Sequence, residues 1–542
     1  MPPDVDDPMI ANPVSRRLIL AVHIDAFIAA PKAYLTAWWW RIRRKRLRAR
    51  SQLAPLLGRS PRAYRLWLTQ QDIIVRDQNA EALPGPPIIA LIYGGSDRGA
   101  LAETLDSLSV QDVRPLVMGT SDASMLMDAV GDIDWNSGGW FMPIVAGDRL
   151  APDAIQVYRA AIARGDARVI YADDDELDET GRRRAPHFKP DWNAELYRHF
   201  DYLSGACIVR ADRDAFDRLG AALDWPGQIV TLAMGDTPPA HVRQILHHRR
   251  TRPKAQLPLP AVRVNATVEL PSVTVIVPTR NQAKLLANCL SGIATTDYPS
   301  IDVIVVDNDS EDPETLEYLA RLDPARHRVM RHPGAFNFST INNRAAQAAQ
   351  GDLLCLLNND IEILDPDWLR IMAIQALREE VGAVGAQLLY PDGRIQHAGV
   401  VLGVGGGAAH AHRLLRPDDP GYFGRHMLPQ FVSAVTAACL VVKRDRFLAV
   451  GGFDERNFAV AFNDVDLCMR LNDRGWQSLY EPRASLIHHE SVSRGFDRDL
   501  AGSTRLAGEL AALKRLWGTA TGVDPFHHPQ LSPSSEQFVI RL

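Results

Sequence analysis

Along this chain, apolar runs repeatedly stop short at polar residues. Val273-Thr274-Val275-Ile276-Val277 runs into Pro278-Thr279-Arg280-Asn281, and Ile301 to Val306 ends at Asp307-Asn308-Asp309-Ser310. Leu353-Leu354-Cys355-Leu356-Leu357 ends at Asn358-Asn359-Asp360. Such runs, bounded by turn residues, read as buried strands. Leu285, Leu286, Cys289 and Leu290 follow the first run at helical spacing, and strands alternating with helices predict an α/β fold. A similar strand pattern begins at Pro87-Ile88-Ile89-Ala90-Leu91-Ile92-Tyr93, while residues 1–83 read as helical and irregular. Prolines and polar residues around 252–260 read as an extended linker, and an amphipathic helix is expected from Thr504 to Trp517. The predicted division is 1–83, 84–251, a linker at 252–270, 271–500 and 501–542.

The two α/β segments echo one another in order. Ala90-Leu91-Ile92-Tyr93-Gly94-Gly95-Ser96 matches Val275-Ile276-Val277-Pro278-Thr279-Arg280-Asn281. Gly205-Ala206-Cys207-Ile208-Val209 matches Ala437-Ala438-Cys439-Leu440-Val441, and Ile245-Leu246-His247-His248 matches Leu486-Ile487-His488-His489. The shared order predicts a duplicated domain.

At 542 residues the chain is expected to hold two or three domains. A net charge of −5 argues against a nucleic-acid partner. The 5 scattered cysteines form no CxxC pair and fit buried thiols in a reducing cytosol. No signal peptide is visible in the acidic start, and the apolar piece Leu18 to Ala30 is interrupted by His23 and Asp25. The expected location is cytoplasmic. Trp38-Trp39-Trp40 then runs into Arg41-Ile42-Arg43-Arg44-Lys45-Arg46-Leu47-Arg48. Indoles beside a cationic cluster suit an anionic membrane interface, so residues 18–50 have two open readings. One is peripheral contact with the inner face of the cell membrane; the other is a helix docked on its own protein.

Acid-bearing strand ends are the candidate chemistry. The carboxyl ends of strands in open α/β sheets are where ligands bind, and a carboxylate fixed there can hold a divalent cation that bridges a pyrophosphate. Farther on, Gly451-Gly452-Phe453-Asp454-Glu455 precedes Asn463-Asp464-Val465-Asp466-Leu467, and His488-His489-Glu490-Ser491 follows. Each motif alone could be a turn or a helix cap. Together they suit one task, holding a diphosphate through a metal while deprotonating a hydroxyl.

The order and wording of these motifs resemble glycosyltransferase family 2, closely over residues 271–498 and loosely over 85–250. The resemblance implies the GT-A fold, a Rossmann-like open sheet, in two tandem copies of which the first is degenerate, with helical extensions at both ends. It also implies inverting transfer of a sugar from a nucleotide-diphosphate donor to a hydroxyl of a glycan or lipid-linked glycan, as in O-antigen, rhamnan and other bacterial surface polysaccharide assembly. On that resemblance Pro278, Thr279, Asn281, Asp307 and Asn308 would shape the nucleotide pocket, with Asn343 and Asn358 also on the donor. Asp360 and His488 would hold Mg²⁺ or Mn²⁺. Asp464 would be the general base, expected to stay ionised at a helix start, and Asp466 the alternative base or an orienting partner.

The chain departs from the family at Asn358, where an Asp is usual; an amide oxygen can still ligate a hard cation, without charge. Gly403-Val404-Gly405-Gly406-Gly407-Ala408 formally fits a dinucleotide fingerprint but reads as a flexible loop. His410 and His412 read as surface-loop histidines, Ser339 as a helix cap, and Asp173-Asp174-Asp175-Glu176 as a solvated acidic loop. In the first segment Asp148 alone keeps the metal position. The competing reading is a non-catalytic, glycan-binding scaffold built on decayed transferase domains.

Overall fold

The computed structural model describes residues 13–75, 84–94, 96–118, 139–219, 224–262, 269–489 and 500–542, with positions 126, 131, 133 and 135 between them. Within the described residues the chain forms two open sheets, a four-helix N-terminal segment and a C-terminal helix followed by an irregular tail.

The first sheet uses β1 (Ile88–Tyr93), β2 (Arg114–Val117), β3 (Gly139–Val145), β4 (Arg149–Leu150), β5 (Val169–Leu177), β6 (Arg183–His187), β7 (Cys207–Ala211) and β8 (Ala240–Arg249). Its order is β2-β1-β3-β7-β5-β8-β4, with β6 paired to β5. The second sheet uses β9 (Val273–Thr279), β10 (Ile301–Asp307), β11 (His327–Arg331), β12 (Leu353–Leu357), β13 (Ile361–Ile363), β14 (Val381–Leu389) and β15 (Ile395–His397). After the short hairpin β16 (Val400–Leu402) and β17 (Ala408–His410), it adds β18 (Gln430–Val432), β19 (Cys439–Lys443) and β20 (Gln477–His488). Its order is β11-β10-β9-β12-β19-β14-β20-β13, with β15 paired to β14 and β18 to β20.

Apart from the added β11 and β18, the two orders coincide strand for strand. The directions coincide as well: parallel at β1–β2 and β1–β3, antiparallel on both sides of β7, parallel at β5–β8 and antiparallel at β8–β4. The same sequence of directions runs through β10–β9–β12, β19, β14, β20 and β13. Val275, Val277, Cys355, Leu357 and Val441 face one apolar layer with Leu286, Cys289 and Leu290, while Ile276, Leu354, Leu356 and Leu440 face the other. Strands β9 and β12 are thus covered on both faces, which is why they read as continuous apolar runs.

The expected C-terminal helix spans Leu500–Trp517, beginning four residues before Thr504. All five cysteines are free and buried. Residues 252–262 carry no regular structure but are not a loose tether: Arg252 is buried with its Nε 2.5 Å from Asp174 Oδ1, and Ala255 and Leu259 pack on the first core.

The acidic run Asp173–Asp175 corrects the sequence reading, since it lies inside β5 and is buried. Each carboxylate meets partners brought from far along the chain. Asp173 takes His241 at 3.1 Å and His528 of the C-terminal tail at 3.0 Å. Asp174 pairs with buried Lys189 at 2.8 Å and with Arg252. Asp175 accepts from Tyr64 and Arg183 and meets His248. The ligand atoms of Asp173, His241 and His528 lie within 4.8 Å of one another, yet the hydrogen bonds make this an ionic clasp. His528 Nδ1 accepts from the Gln530 N–H, so its Nε2 holds the proton that faces Asp173. His241 sits between Asp173 and Asp191; burial alone would lower its pKa, but the two carboxylates outweigh that and raise it.

His412 is likewise buried rather than on a surface loop, with its ring stacked on Phe538 at 4.4 Å. The glycine loop 403–407 closes the β16–β17 hairpin, with Gly405 donating to Pro533. It precedes a strand instead of a helix, so it is no dinucleotide turn, and the tail holds it in place.

Candidate active site

The site is built at the carboxyl ends of β9, β10 and β12. Asn281 adopts a left-handed conformation (φ 47°), tolerable for Asn. Its N–H donates to Ser310 Oγ, and its Oδ1 accepts from the N–H groups of Glu311 and Asp312. The loop after β9 is thereby tied to the loop after β10. Asp307, buried at the end of β10, accepts from the Ser310 N–H at 3.0 Å and pairs with Arg331 at 3.3 Å. Asn308 ties that strand end to the next loop by donating to the His332 and Gly334 carbonyls. Thr279 accepts from Asn359 at 3.0 Å, which joins β9 to the metal-motif turn, and Pro278 beside it is half-buried.

Three residues past the end of β12, Asp360 is buried, and its Oδ1 has no hydrogen-bond partner among the described residues. His488 Nε2 lies 3.2 Å from that oxygen and 3.3 Å from the Asn358 amide nitrogen. His488 Nδ1 meets Gln396 Oε1 at 2.7 Å. An amide oxygen can only accept, so Nδ1 carries a proton, which leaves Nε2 as the nitrogen that faces Asp360. Two acceptors facing at 3.2 Å need a cation between them, a proton or a metal. The orphaned carboxylate oxygen and the enforced tautomer therefore fit a divalent cation held by Asp360 and His488, and a turn of the Asn358 amide would bring a third oxygen.

Asp464 stands on the other side of the same short segment. Asn358 donates its N–H to Ala438 O, and the Ala437 N–H donates to Asp464 Oδ2 at 3.2 Å. Thr436 donates its N–H to His397 Nε2, and His397 Nδ1 meets His410 Nδ1 at 2.8 Å. Burial, with His410 and His488 nearby, keeps the His397 pKa well below its ordinary value, hence neutral. Burial raises the Asp464 pKa, and hydrogen bonds from Ala437, Val465 and Thr436 do not fully offset it.

Two predicted site residues are engaged by contacts within the protein. Asp466 takes Arg470 Nε and Nη2 on Oδ2 (2.9 and 2.7 Å) and the Trp517 indole N–H on Oδ1 (2.9 Å), so it anchors the C-terminal helix with its acceptors engaged. Asn343 donates to Phe453 O and Glu455 and accepts from the Phe453 N–H. It clamps the Gly451–Glu455 loop: at Gly452 (φ 67°) a Cβ would sit 2.4 Å from its Oδ1. Asn337, not Ser339, caps the 338–348 helix, and Ser339 is buried and donates to Phe458 O. Glu490 and Ser491 of the histidine motif lie outside the described residues. The sequence reading missed Gln396, His397 and Thr436, which no motif marks; Gln396-His397 at the end of a short strand was the available signal.

In the first unit Asp148 lies three residues past β3, as Asp360 lies three past β12. Its Oδ1 accepts from the Arg250 N–H at 2.7 Å and its Oδ2 lies 3.8 Å from Arg249. Burial pushes its pKa up to about 6. The helix equivalent to that of Asp464, Trp225–Met234, has no acid in its first turn.

The family described as Glycosyl transferase family 2 matches residues 274–445. An uncharacterized protein of Sinorhizobium fredii is 35% identical over 490 residues, 81% of this chain and 54% of that protein. The O-antigen biosynthesis protein RfbC of Myxococcus xanthus is 36% identical over 431 residues, 71% of this chain and 33% of that protein. An N-acetylglucosaminyl-diphospho-decaprenol L-rhamnosyltransferase of Mycobacterium tuberculosis is 47% identical over 66 residues, 12% of this chain and 21% of the enzyme. The chain thus spans about half and a third of the lengths of the two relatives it matches most extensively. With the acid-bearing strand ends in family order on an open sheet, the second unit of the chain is a family 2 glycosyltransferase domain of the GT-A fold.

Proposed function

We propose that the chain is an inverting glycosyltransferase that moves a sugar from a nucleotide-diphosphate donor to a hydroxyl of a growing surface glycan. One observation carries the reading: Asn358, which opens the turn that holds Asp360, donates its N–H to Ala438 O, while Asp464 accepts the N–H of the neighbouring Ala437, so the metal-motif turn and the candidate base share one short segment. Diphosphate anchoring and base catalysis need such adjacent, opposed groups. Asp307 accepts from the base or ribose, with Pro278, Thr279, Asn281 and Asn308 as its frame. A divalent cation bound by Asp360 and His488 would offset charge on the leaving diphosphate. Asp464 takes the proton of the acceptor hydroxyl as its oxygen attacks the anomeric carbon opposite the departing diphosphate, which inverts that centre. A raised pKa makes Asp464 a stronger base than an exposed carboxylate. The names of the Myxococcus and Mycobacterium relatives favour O-antigen-type or rhamnosyl chemistry on a lipid-linked acceptor. The first unit serves as a packing and acceptor-side partner.

Purified full chain should release nucleoside diphosphate from one member of a panel of UDP-, dTDP- and GDP-sugars when Mg²⁺ or Mn²⁺ is present, and lose that activity in EDTA. Asp464→Asn should lower kcat by roughly 10²–10⁴-fold with KM for the donor little changed, and remove the acidic limb of the pH profile. Turnover by Asp464→Asn at the wild-type rate would overturn the assignment.

A further inference from the structure

The N-terminal segment has a face that the other described residues leave uncovered. Helices α1 (Pro13–Ala29), α2 (Pro31–Ile42), α3 (Arg46–Gly58) and α4 (Ala63–Val75) form it. One side of α1 is docked, since Leu18 and Val22 pack on Leu66, and Asp25 accepts from Ser60 and pairs with Arg62. The opposite side exposes Ile19, Leu20 (62%), Ile24, Phe27 and Ile28 (71%), and α2 exposes Leu35, Trp39 and Ile42 (77%) at helical spacing. Of the two sequence readings, docking on its own protein describes one side of α1, while its outer face is apolar too. A contiguous apolar face of this kind marks an interaction surface.

Charge identifies the occupant. Residues 26–71 contain eleven Lys and Arg and no Asp or Glu, in a chain of net charge −5. The cations interleave with the aromatics: Arg43 lies 4.3 Å from the Trp39 ring centre, Arg41 5.3 Å from Trp38, and Lys45 and Arg48 over Trp40. Leu35, Trp39 and Arg43 share one side of α2 and its end, so apolar face, indole and guanidinium follow one another. No single helix among the described residues is long and apolar enough to cross a membrane; α1 and α2 pass that test only as a pair, bent by 119°. We propose that the α1–α2 hairpin lies in the interface of an anionic bilayer, with its exposed side chains among the acyl chains and its cations at the lipid phosphates. Among the described residues only Arg62 of these eleven is paired with a carboxylate, Asp25, and an anionic lipid surface neutralises the others. The inference stands on these helices alone and does not depend on the transferase reading.

Flotation of the full chain with vesicles tests it. Binding is expected to phosphatidylcholine vesicles containing about a third phosphatidylglycerol, at least tenfold above binding to pure phosphatidylcholine and falling steeply in 0.5 M NaCl. Ile28→Asp with Ile42→Asp, and separately Arg43→Gln with Arg44→Gln and Lys45→Gln, should each cut binding about tenfold while circular dichroism is unchanged. Equal binding to neutral vesicles, or no flotation at all, overturns the proposal. So does a wild-type dimer in solution that Ile28→Asp with Ile42→Asp dissociates, which would make a second copy the occupant.

Discussion

A carboxylate is available for chemistry only if its neighbours leave it so, and the aspartates of this chain differ in that respect. Asp466, two residues after Asp464 and a helix-start acid like it, is consumed by Arg470 and Trp517. Asp360 keeps an oxygen facing His488 because Gln396 holds the Nδ1 proton. Partners that fix a ligand's tautomer typically contribute about 10–100-fold in metal affinity. Gln396→Leu should therefore raise the Mn²⁺ concentration for half-maximal turnover by about that factor, with kcat recovering at saturating metal. If half-saturation does not move, Gln396 plays no part in orienting His488. The motif pattern made Asp360, Asp464 and His488 legible. Gln396 was not, because nothing local distinguishes a glutamine on a three-residue strand from any other.

At the scale of elements, polar residues inside strands defeated the sequence reading. Asp173-Asp174-Asp175 has the composition of a solvated loop, yet it is buried in β5 because Tyr64, Lys189, His241, Arg252 and His528 pair with it or bond to it from five other segments. Isolated buried carboxylates cost several kcal/mol, so such a run survives only when every member is paired. A second ionic contact joins the units directly: buried Glu195 of the first meets Arg378 of the second at 2.6 Å, with Arg198 and His199 beside it. Burial alone would raise the Glu195 pKa, but the bonds from His199 and Arg378 hold it at about 2. A depressed carboxylate pKa stabilises the fold fully above its unfolded value, 4.5, and the contribution fades as pH falls toward 2. The difference corresponds to about 3 kcal/mol. Denaturant titrations between pH 6 and pH 3 should show Glu195→Gln losing less stability on acidification than the wild type. Parallel loss in both proteins would remove Glu195 from the acid response.

For the whole molecule, the matching strand orders put two copies of one sheet in a single chain, and chemistry in one of them. Asp148 has the place of Asp360, but its Oδ1 accepts from the Arg250 N–H and its Oδ2 lies 3.8 Å from the Arg249 guanidinium instead of facing a histidine, and among the described residues no acid stands in the first turn of the helix equivalent to that of Asp464. Asp148→Ala should leave the donor KM and kcat within about twofold of wild type, although it removes one of the two carboxylates beside buried Arg249, Asp174 being the other, and lowers the unfolding midpoint. A hundredfold loss of turnover with an unchanged midpoint would give the first unit a share in catalysis.

By itself the sequence determined the strand ends, the helix that follows β9, the order of the motifs and the repetition of the sheet. Those depend on short-range matters: apolar runs, turn residues and spacing along one element. Only the tertiary structure decided which acids are committed and which are available, why Asn343 is a clamp, and that the linker and tail are bound into the first unit. Those outcomes rest on ion pairs and hydrogen bonds between residues tens to hundreds of positions apart. Burial raises the stakes of each such pairing, and no local pattern encodes it.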